Sequence, residues 1–213
     1  DEVMGMCPAT THPTQTVCVT CGLTQHACPG HFGHIVLNCP VANPMCLKHI
    51  LSFLKCFCFV CARVLLTEGQ VGMYNMGSLS NERKFTRISE LLKVLEMCGH
   101  CLAVQPKFSL IVHEAQIYAT PSHGRTHHLG SKDILRVFDG IPDGDLRLMG
   151  LDPAHMHPRN LIITVLPVIP TVSRPFSVAG DCLSDDDLSV QYVDIVKINK
   201  LLGTFSMSGS PHD

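Results

Sequence analysis

The sequence predicts an α+β fold of irregular build, with short strands, several helices and metal staples. Three observations lead there. Apolar residues recur at helical spacing in some stretches, alternate or run on as strands in others, and seven of the twelve cysteines sit in Cys-x-x-Cys or Cys-x-x-His pairs. A two-residue gap is short for a disulfide but suits two thiolates converging on one ion.

The elements follow in order. Residues 1–17, with Pro8, Pro13 and several threonines, read as an irregular lead-in. The stretch CVTCGLTQHACPGHFGH (18–34) comes next. Asn43 is an expected N-cap and Pro44 a first helical residue, with Leu47, Ile50, Leu51 and Leu54 forming one apolar stripe, so a helix is expected over 44–55. CFCFVCARVLL (56–66) reads as a knuckle followed by a short buried strand, and Gly69, Gly72 and Gly77 mark a loop.

From Asn81, Phe85, Ile88, Leu91, Leu92 and Leu95 fall at helical spacing with charges opposite, which predicts a helix over 81–97 leading straight into CGHC. KFSLIVHEAQIYA (107–119) reads as a β-hairpin with His113 and Glu114 in a strand, and the histidine-rich 120–130 as an exposed loop. Ser131 is expected to cap a short helix, and 142–151 to form a second helical turn. NLIITVLPVIP is an apolar strand running into a proline-stiffened segment that carries Arg174. The last element, SDDDLSVQYVDIVKINKLL, reads as an acid-capped helix with Leu188, Tyr192, Ile195 and Leu202 largely on one side.

The totals bound the function. A chain of 213 residues, 46% hydrophobic, can build one large core or two small ones. A formal net charge of −2 gives no global basic excess toward nucleic acid and no acidic solvating arm. No apolar run reaches the roughly 18–20 residues that span a bilayer. The chain starts at Asp1, without an initiating methionine, and reads as a fragment.

Two ligand constellations stand out. Cys18, Cys21, Cys28 and His31 place two tight turns six residues apart, enough for one tetrahedral zinc ion, with Pro29 and Gly30 suiting the sharp turn. Cys58, Cys61, Cys98 and Cys101 would make a second site whose ion pins the 81–97 helix back onto the strand that begins the segment. The short gap after Cys21 favours sequential pairing; an interleaved, RING-like cross-brace is the alternative. A closed set of four protein ligands leaves no position for water or substrate, so both sites read as structural.

Other tempting residues read more plainly. His34 is expected to pack beside the first site and His100 to point outward from its knuckle, while Cys7, Cys39, Cys46, Cys56 and Cys182 read as small buried apolar residues. Asp185, Asp186 and Asp187 read as a helix cap rather than a magnesium site. Arg83, Lys84, Arg87 and Lys93 lie on or near one helix, where a solvated face is the default and phosphate contact the sharper reading.

Taken together these residues resemble one family, the largest subunit of multisubunit DNA-directed RNA polymerases in its N-terminal clamp region. The family signature is matched by Cys18, Cys21, Cys28, Gly30, His31, Phe32, Gly33, His34 and Ile35, then Pro40 and Val41. CFVCARVLL, CGHCLAVQPKF, the 141–178 segment with its Leu-Pro-Val and Arg-Pro, and DDDLSVQYVDIVKINKLL resemble later family motifs in the family's order.

The resemblance implies a zinc-stapled clamp head and clamp core: a first zinc-binding segment at 1–41, a clamp head with the second zinc site at 42–130 and a clamp core segment at 131–213. It implies closure over DNA and the RNA–DNA hybrid, with the second-largest subunit and other polymerase subunits as partners and no membrane. Nucleotidyl transfer would belong to the assembled enzyme, whose magnesium-binding aspartate loop has no counterpart here. Arg83, Lys84 and Arg87, with the 122–130 loop, are the candidate nucleic-acid contacts. Expected location is the nucleus for a cellular eukaryotic enzyme, and the cytoplasm or virion for a viral one. The competing reading is a free-standing zinc adaptor or RING-like interaction module.

Overall fold

A computed structural model describes residues 18, 20–24, 27–67, 69, 80–92, 95–175, 177–179 and 182–208. The chain divides into two compact units, one formed by Asp1–Cys39 with Thr164–Asp213 and the other by Pro40–Ile163. The lead-in at 1–17, Gly72, Gly77 and Lys93 lie outside the described residues.

Two strands form one sheet: β1 (Gly33–Ala42) beside β5 (Ile162–Val168). At its start β1 alternates as a half-buried strand should, with Gly33 and Ile35 buried and His34 and Val36 exposed.

In the unit that holds residues 164–213, a 3₁₀ turn at Thr171–Ser173 follows β5, then an antiparallel pair, β6 (Ser177–Ala179) and β7 (Cys182–Ser184). The last helix, α5 (Asp187–Ser208), begins where the acidic run predicts: the Asp186 carboxylate accepts from the Leu188 N–H at 3.0 Å, and Asp187 lies in the first turn. The expected apolar stripe is only partly inward. Tyr192 and Ile195 are half-buried, but Leu188 and Leu202 are exposed, and polar groups contribute to the docking of this helix. The Asn199 side chain accepts from the Asn38 N–H at 2.7 Å and donates to the Val36 carbonyl at 2.8 Å, acting on β1 as a short stretch of neighbouring strand would. Gly203 makes room for this: a Cβ there would lie 2.8 Å from Asn38 Nδ2.

The unit at 40–163 holds the main apolar core. Asn43 caps as expected, its Oδ1 accepting from the Met45 N–H at 3.0 Å; a 3₁₀ turn at Pro44–Cys46 then becomes α1 (Leu47–Leu54), which buries Leu47, Ile50 and Leu54. Next comes α2 (Asn81–Leu92), burying Ile88 and Leu92 and setting Phe85 against Phe53 at 5.2 Å between ring centroids. This helix does not run to Met97, which instead forms an isolated bridge with Val104 around the second cysteine knuckle. The strand expected after Cys61 is likewise a single bridge, Phe57 with Val64, although Val64, Leu65 and Leu66 are buried.

The hairpin is present as β2 (Lys107–Ile111) and β3 (Gln116–Thr120), pairing Lys107 with Thr120 through to Ile111 with Gln116. His113 and Glu114 lie in its turn, not in a strand. The 120–130 loop is partly ordered by pairing: β4 (His127–His128) joins β3, with His128 packing edge-on to Tyr118 at 5.8 Å.

Two helices follow, α3 (Ser131–Asp139) and α4 (Asp143–Leu148). Ser131 does not cap α3. Gly130 occupies the N-cap without a side-chain bond, and the Ser131 hydroxyl accepts from the Ala42 N–H at 3.0 Å instead. Asp145 on α4 is buried, and its carboxylate accepts from the Val64 N–H at 2.8 Å and pairs with Arg63 at 3.2 Å, so the buried charge is compensated.

Candidate metal centres

Four donors converge at each of two places. The Sγ atoms of Cys18, Cys21 and Cys28 and a ring nitrogen of His31 all lie within 4.8 Å of one another, and so do the four Sγ atoms of Cys58, Cys61, Cys98 and Cys101. In the first group Cys18 Sγ lies 3.3 Å and Cys28 Sγ 3.5 Å from His31 Nε2, with 3.7 Å between the sulfurs of Cys21 and Cys28. In the second, Cys58 and Cys101 are 3.5 Å apart, and Cys61 and Cys98 are 3.7 Å apart. Bonds of about 2.3 Å to a tetrahedral zinc place sulfurs about 3.8 Å apart. A disulfide would need about 2.05 Å. The donors therefore fit the edges of a metal tetrahedron, each group can hold a metal ion, and soft sulfur-rich sets of this shape are compatible with zinc. Each group is contiguous in sequence, unlike an interleaved cross-brace.

The chain builds the same knuckle three times. In each Cys-x-x-Cys turn, the residue after the second cysteine donates its N–H to the carbonyl of the first: Gly22 to Cys18 at 2.8 Å, Ala62 to Cys58 at 2.9 Å, Leu102 to Cys98 at 3.1 Å. The first cysteine then donates to the carbonyl five residues on, Leu23, Arg63 or Ala103, at 2.7, 2.8 and 3.0 Å. This closure requires a left-handed backbone after the second cysteine, and Gly22, Ala62 and Leu102 have φ of 70°, 58° and 60°. The fourth turn, Cys28 to His31, differs. Its left-handed residue is Gly30, φ 81°, where a Cβ would meet Pro170 Cβ at 2.6 Å, so glycine serves both angle and space.

Inside the second group the turns aim N–H groups at sulfur. Val60 and Cys61 donate to Cys58 Sγ at 3.4 and 3.5 Å, and His100 donates to Cys98 Sγ at 3.4 Å. The Gln of the Gln-Pro pair that follows CGHC adds to them, a contact its place in the motif does not reveal. Gln105 donates from Nε2 to Cys58 Sγ at 3.2 Å and to the Ala103 carbonyl at 2.9 Å, while its Oε1 accepts from the Phe59 N–H at 2.9 Å. The sequence signal was an amide residue between Val104 and Pro106, four positions after the last cysteine.

These surroundings split the thiols. At Cys18 the Cys21 N–H, with Thr20's, outweighs burial and brings the pKa down to about 5. Cys28 receives the Gly30 N–H, but burial and the adjoining Cys21 and Cys18 thiols push it up to about 11. Burial opposes ionisation of Cys58, yet the N–H groups of Cys61 and Val60 carry it to about 7, whereas burial raises Cys61 to about 12 and also raises Cys98. A dication among such thiols favours their thiolate forms and releases protons.

The other candidates fall elsewhere. His34 is exposed on β1, outside the first group. His100 does not point outward: its Nε2 lies 3.2 Å from the Leu66 carbonyl oxygen. Cys56 is buried with its Sγ 3.6 Å from Ser89 Oγ, and Cys39 and Cys46 are half-buried; Cys7 and the Cys182 side chain lie outside the description. Arg83 and Arg87 are exposed on α2 and Lys84 is half-buried, with Arg87 pairing loosely with Glu90 at 3.6 Å. Among the described residues no helix is long and apolar enough to cross a membrane.

Fold and sites thus define an α+β polypeptide carrying two four-donor groups that could each hold a metal ion. The model of the family described as RNA polymerase Rpb1, domain 1, matches residues 4–213, and the chain belongs to that family. Similar proteins come from different kinds of source. A probable DNA-directed RNA polymerase II subunit RPB1 homolog of Invertebrate iridescent virus 6 is 32% identical, over 89% of this chain and 20% of its own length. The DNA-directed RNA polymerase subunit Rpo1N of Sulfolobus acidocaldarius is 32% identical over 91% of this chain and 23% of its own length. The DNA-directed RNA polymerase II subunit RPB1-B of Trypanosoma brucei brucei is 29% identical over 89% and 12%. The chain therefore spans less than a quarter of each of these relatives.

Proposed function

We propose that the chain is the clamp portion of the largest subunit of a DNA-directed RNA polymerase, closing over DNA and the RNA–DNA hybrid while two zinc ions hold its shape. The observation that carries this reading is the pairing of a family match over residues 4–213 with two four-donor groups of tetrahedral dimensions. Cys18, Cys21, Cys28 and His31 would hold one zinc, and Cys58, Cys61, Cys98 and Cys101 the other. Four protein donors leave no open coordination position, so the ions act on shape and not on substrate.

Nucleotidyl transfer, with its magnesium, then belongs to the assembled enzyme and not to this segment. The partners are the other polymerase subunits, the second-largest above all, together with template DNA and the hybrid. Arg83, Lys84 and Arg87 on α2 are the phosphate contacts, and the 122–130 loop has the same role. The segment resides wherever its enzyme does, in the nucleus for a cellular eukaryotic polymerase and in the cytoplasm or virion for a viral one.

Two measurements test the reading. The purified chain should carry two equivalents of zinc, falling to one when either group loses a cysteine; a well-folded chain without metal overturns the zinc assignment. In the assembled polymerase, reversing charge at Arg83, Lys84 and Arg87 together should make elongation complexes dissociate at lower salt. Unchanged salt resistance removes α2 from the nucleic-acid surface.

A further inference from the structure

The second metal group differs from the first in charge. Four thiolates around a divalent ion leave −2, whereas three thiolates and a neutral imidazole leave −1. Excess negative charge on sulfur is stabilised by N–H donors, and donors fixed before the metal arrives stabilise it without further ordering. Backbone N–H groups of the knuckles supply such donors at the second group, those of Val60 and Cys61 to Cys58 and that of His100 to Cys98 among them. One donor is a side chain, Gln105, and it comes from outside both turns.

Gln105 is held from three directions. Its backbone N–H donates to the Glu96 carbonyl at 2.8 Å, which anchors it across the Met97–Val104 bridge. Its Oε1 accepts from the N–H of Phe59, within the first knuckle, and its Nε2 donates to the carbonyl of Ala103, just past the second. The remaining Nε2 proton reaches Cys58 Sγ at 3.2 Å, shorter than the 3.4 and 3.5 Å from the Val60 and Cys61 N–H groups to the same sulfur. One amide therefore ties together two knuckles separated by a long stretch of chain and spends its last donor on a ligand sulfur. With both Nε2 protons and Oε1 engaged, the amide's orientation is fixed by its partners.

We propose that Gln105 is a positioning residue of the second metal site, holding the two knuckles in register and stabilising the Cys58 thiolate so that the site closes tightly around its ion. This rests on the reading of that group as a metal site. Removing the donor lowers affinity there by about 10–100-fold, the usual effect of losing a hydrogen-bonding partner of a metal ligand. The first site is untouched and serves as an internal reference.

The test uses the full 213-residue chain loaded with cadmium-113, whose resonance separates four-sulfur from three-sulfur-one-nitrogen coordination, together with zinc competition against a chromogenic chelator. Two variants divide the roles of the amide. Gln105→Leu removes every contact of the side chain. Gln105→Glu keeps an acceptor for the Phe59 N–H but takes the donor from Cys58, so it remains informative if the leucine variant does not fold.

The expected result for both is a shifted four-sulfur resonance and 10–100-fold weaker zinc retention at the second site, with the first resonance and its affinity unchanged. A Gln105→Glu chain with wild-type retention and an unmoved four-sulfur resonance overturns the proposal. Failure of the wild-type chain to bind cadmium or zinc at the second group would instead overturn the metal reading beneath it.

Discussion

Leu102 is a non-glycine residue at φ 60° whose side chain is 69% exposed. Left-handed backbone costs an L-residue roughly 1–2 kcal/mol, part of which returns as unfolded-state entropy when glycine replaces it. Leu102→Gly should therefore raise stability, by about 0.5–1 kcal/mol, seen as a higher urea midpoint in the metal-loaded chain. His157 argues a pH effect at the same scale. It is buried, and its Nδ1 accepts from the Arg159 N–H at 3.2 Å, so the folded state holds it neutral. Burial, then the positive charge of Arg159, lowers its pKa, against a weaker opposing pull from Asp139 and Asp143. The unfolded chain takes up this proton as pH falls through about 6.5 while the folded chain resists, so stability is full above that pH and declines below it. His157→Asn keeps an acceptor for the Arg159 N–H and removes the titration. Between pH 7.5 and 5.5, with metal content held constant, wild type should lose more stability than the variant, by at most about 1.4 kcal/mol per pH unit; parallel curves would contradict the assignment.

At the scale of elements, what was legible in the sequence is what local rules dictate. Asn43 and Pro44 specify the start of α1 because a cap acts within three residues, and the β2–β3 hairpin follows from side-chain alternation. The same locality made the knuckle spacings readable, and the fold brings those eight side chains into two groups. What escaped was set by partners distant in sequence. Ser131 sits where a cap is expected, yet its hydroxyl serves Ala42, 89 positions away. The helix expected over 81–97 does not reach Met97 because that residue must bracket a knuckle, and Gln105 matters only once two knuckles meet across it. The docking of α5 is another such case, since nothing local to Asn199 says it will complete β1. Asn199→Leu breaks the bonds to Val36 and Asn38, which are exposed enough for water to replace them. The global cost should stay near 1 kcal/mol. Hydrogen exchange within α5 should nevertheless rise clearly, while exchange in the 40–163 unit stays as in wild type; equal exchange in α5 would show that its docking does not depend on this residue.

At the scale of the whole molecule, the two ligand groups are unequal staples. The first closes the chain between residues 18 and 31, the second between 58 and 101, a loop roughly three times longer whose closure in the unfolded state is costlier by about 1 kcal/mol. Embedding separates them further. Cys58 and Cys98 belong to the main apolar core, alongside Phe57, Ile88 and Leu92, so the second group is continuous with the packing of the 40–163 unit. The first group belongs with the other unit and has no member in that core. Loss of the second ion therefore removes a long-loop constraint and leaves four sulfur groups at the edge of the core without their cation, two of them buried. Cys58→Ser should abolish cooperative unfolding of residues 40–163, with near-ultraviolet circular dichroism lost and core amides exposed to exchange. Cys21→Ser should remove one equivalent of metal and leave the cooperative transition of that unit within about 1 kcal/mol of wild type, as expected for a change remote from its packing. If the two variants collapse the 40–163 unit equally, the staples are coupled across the chain, and the division into two units has no thermodynamic counterpart.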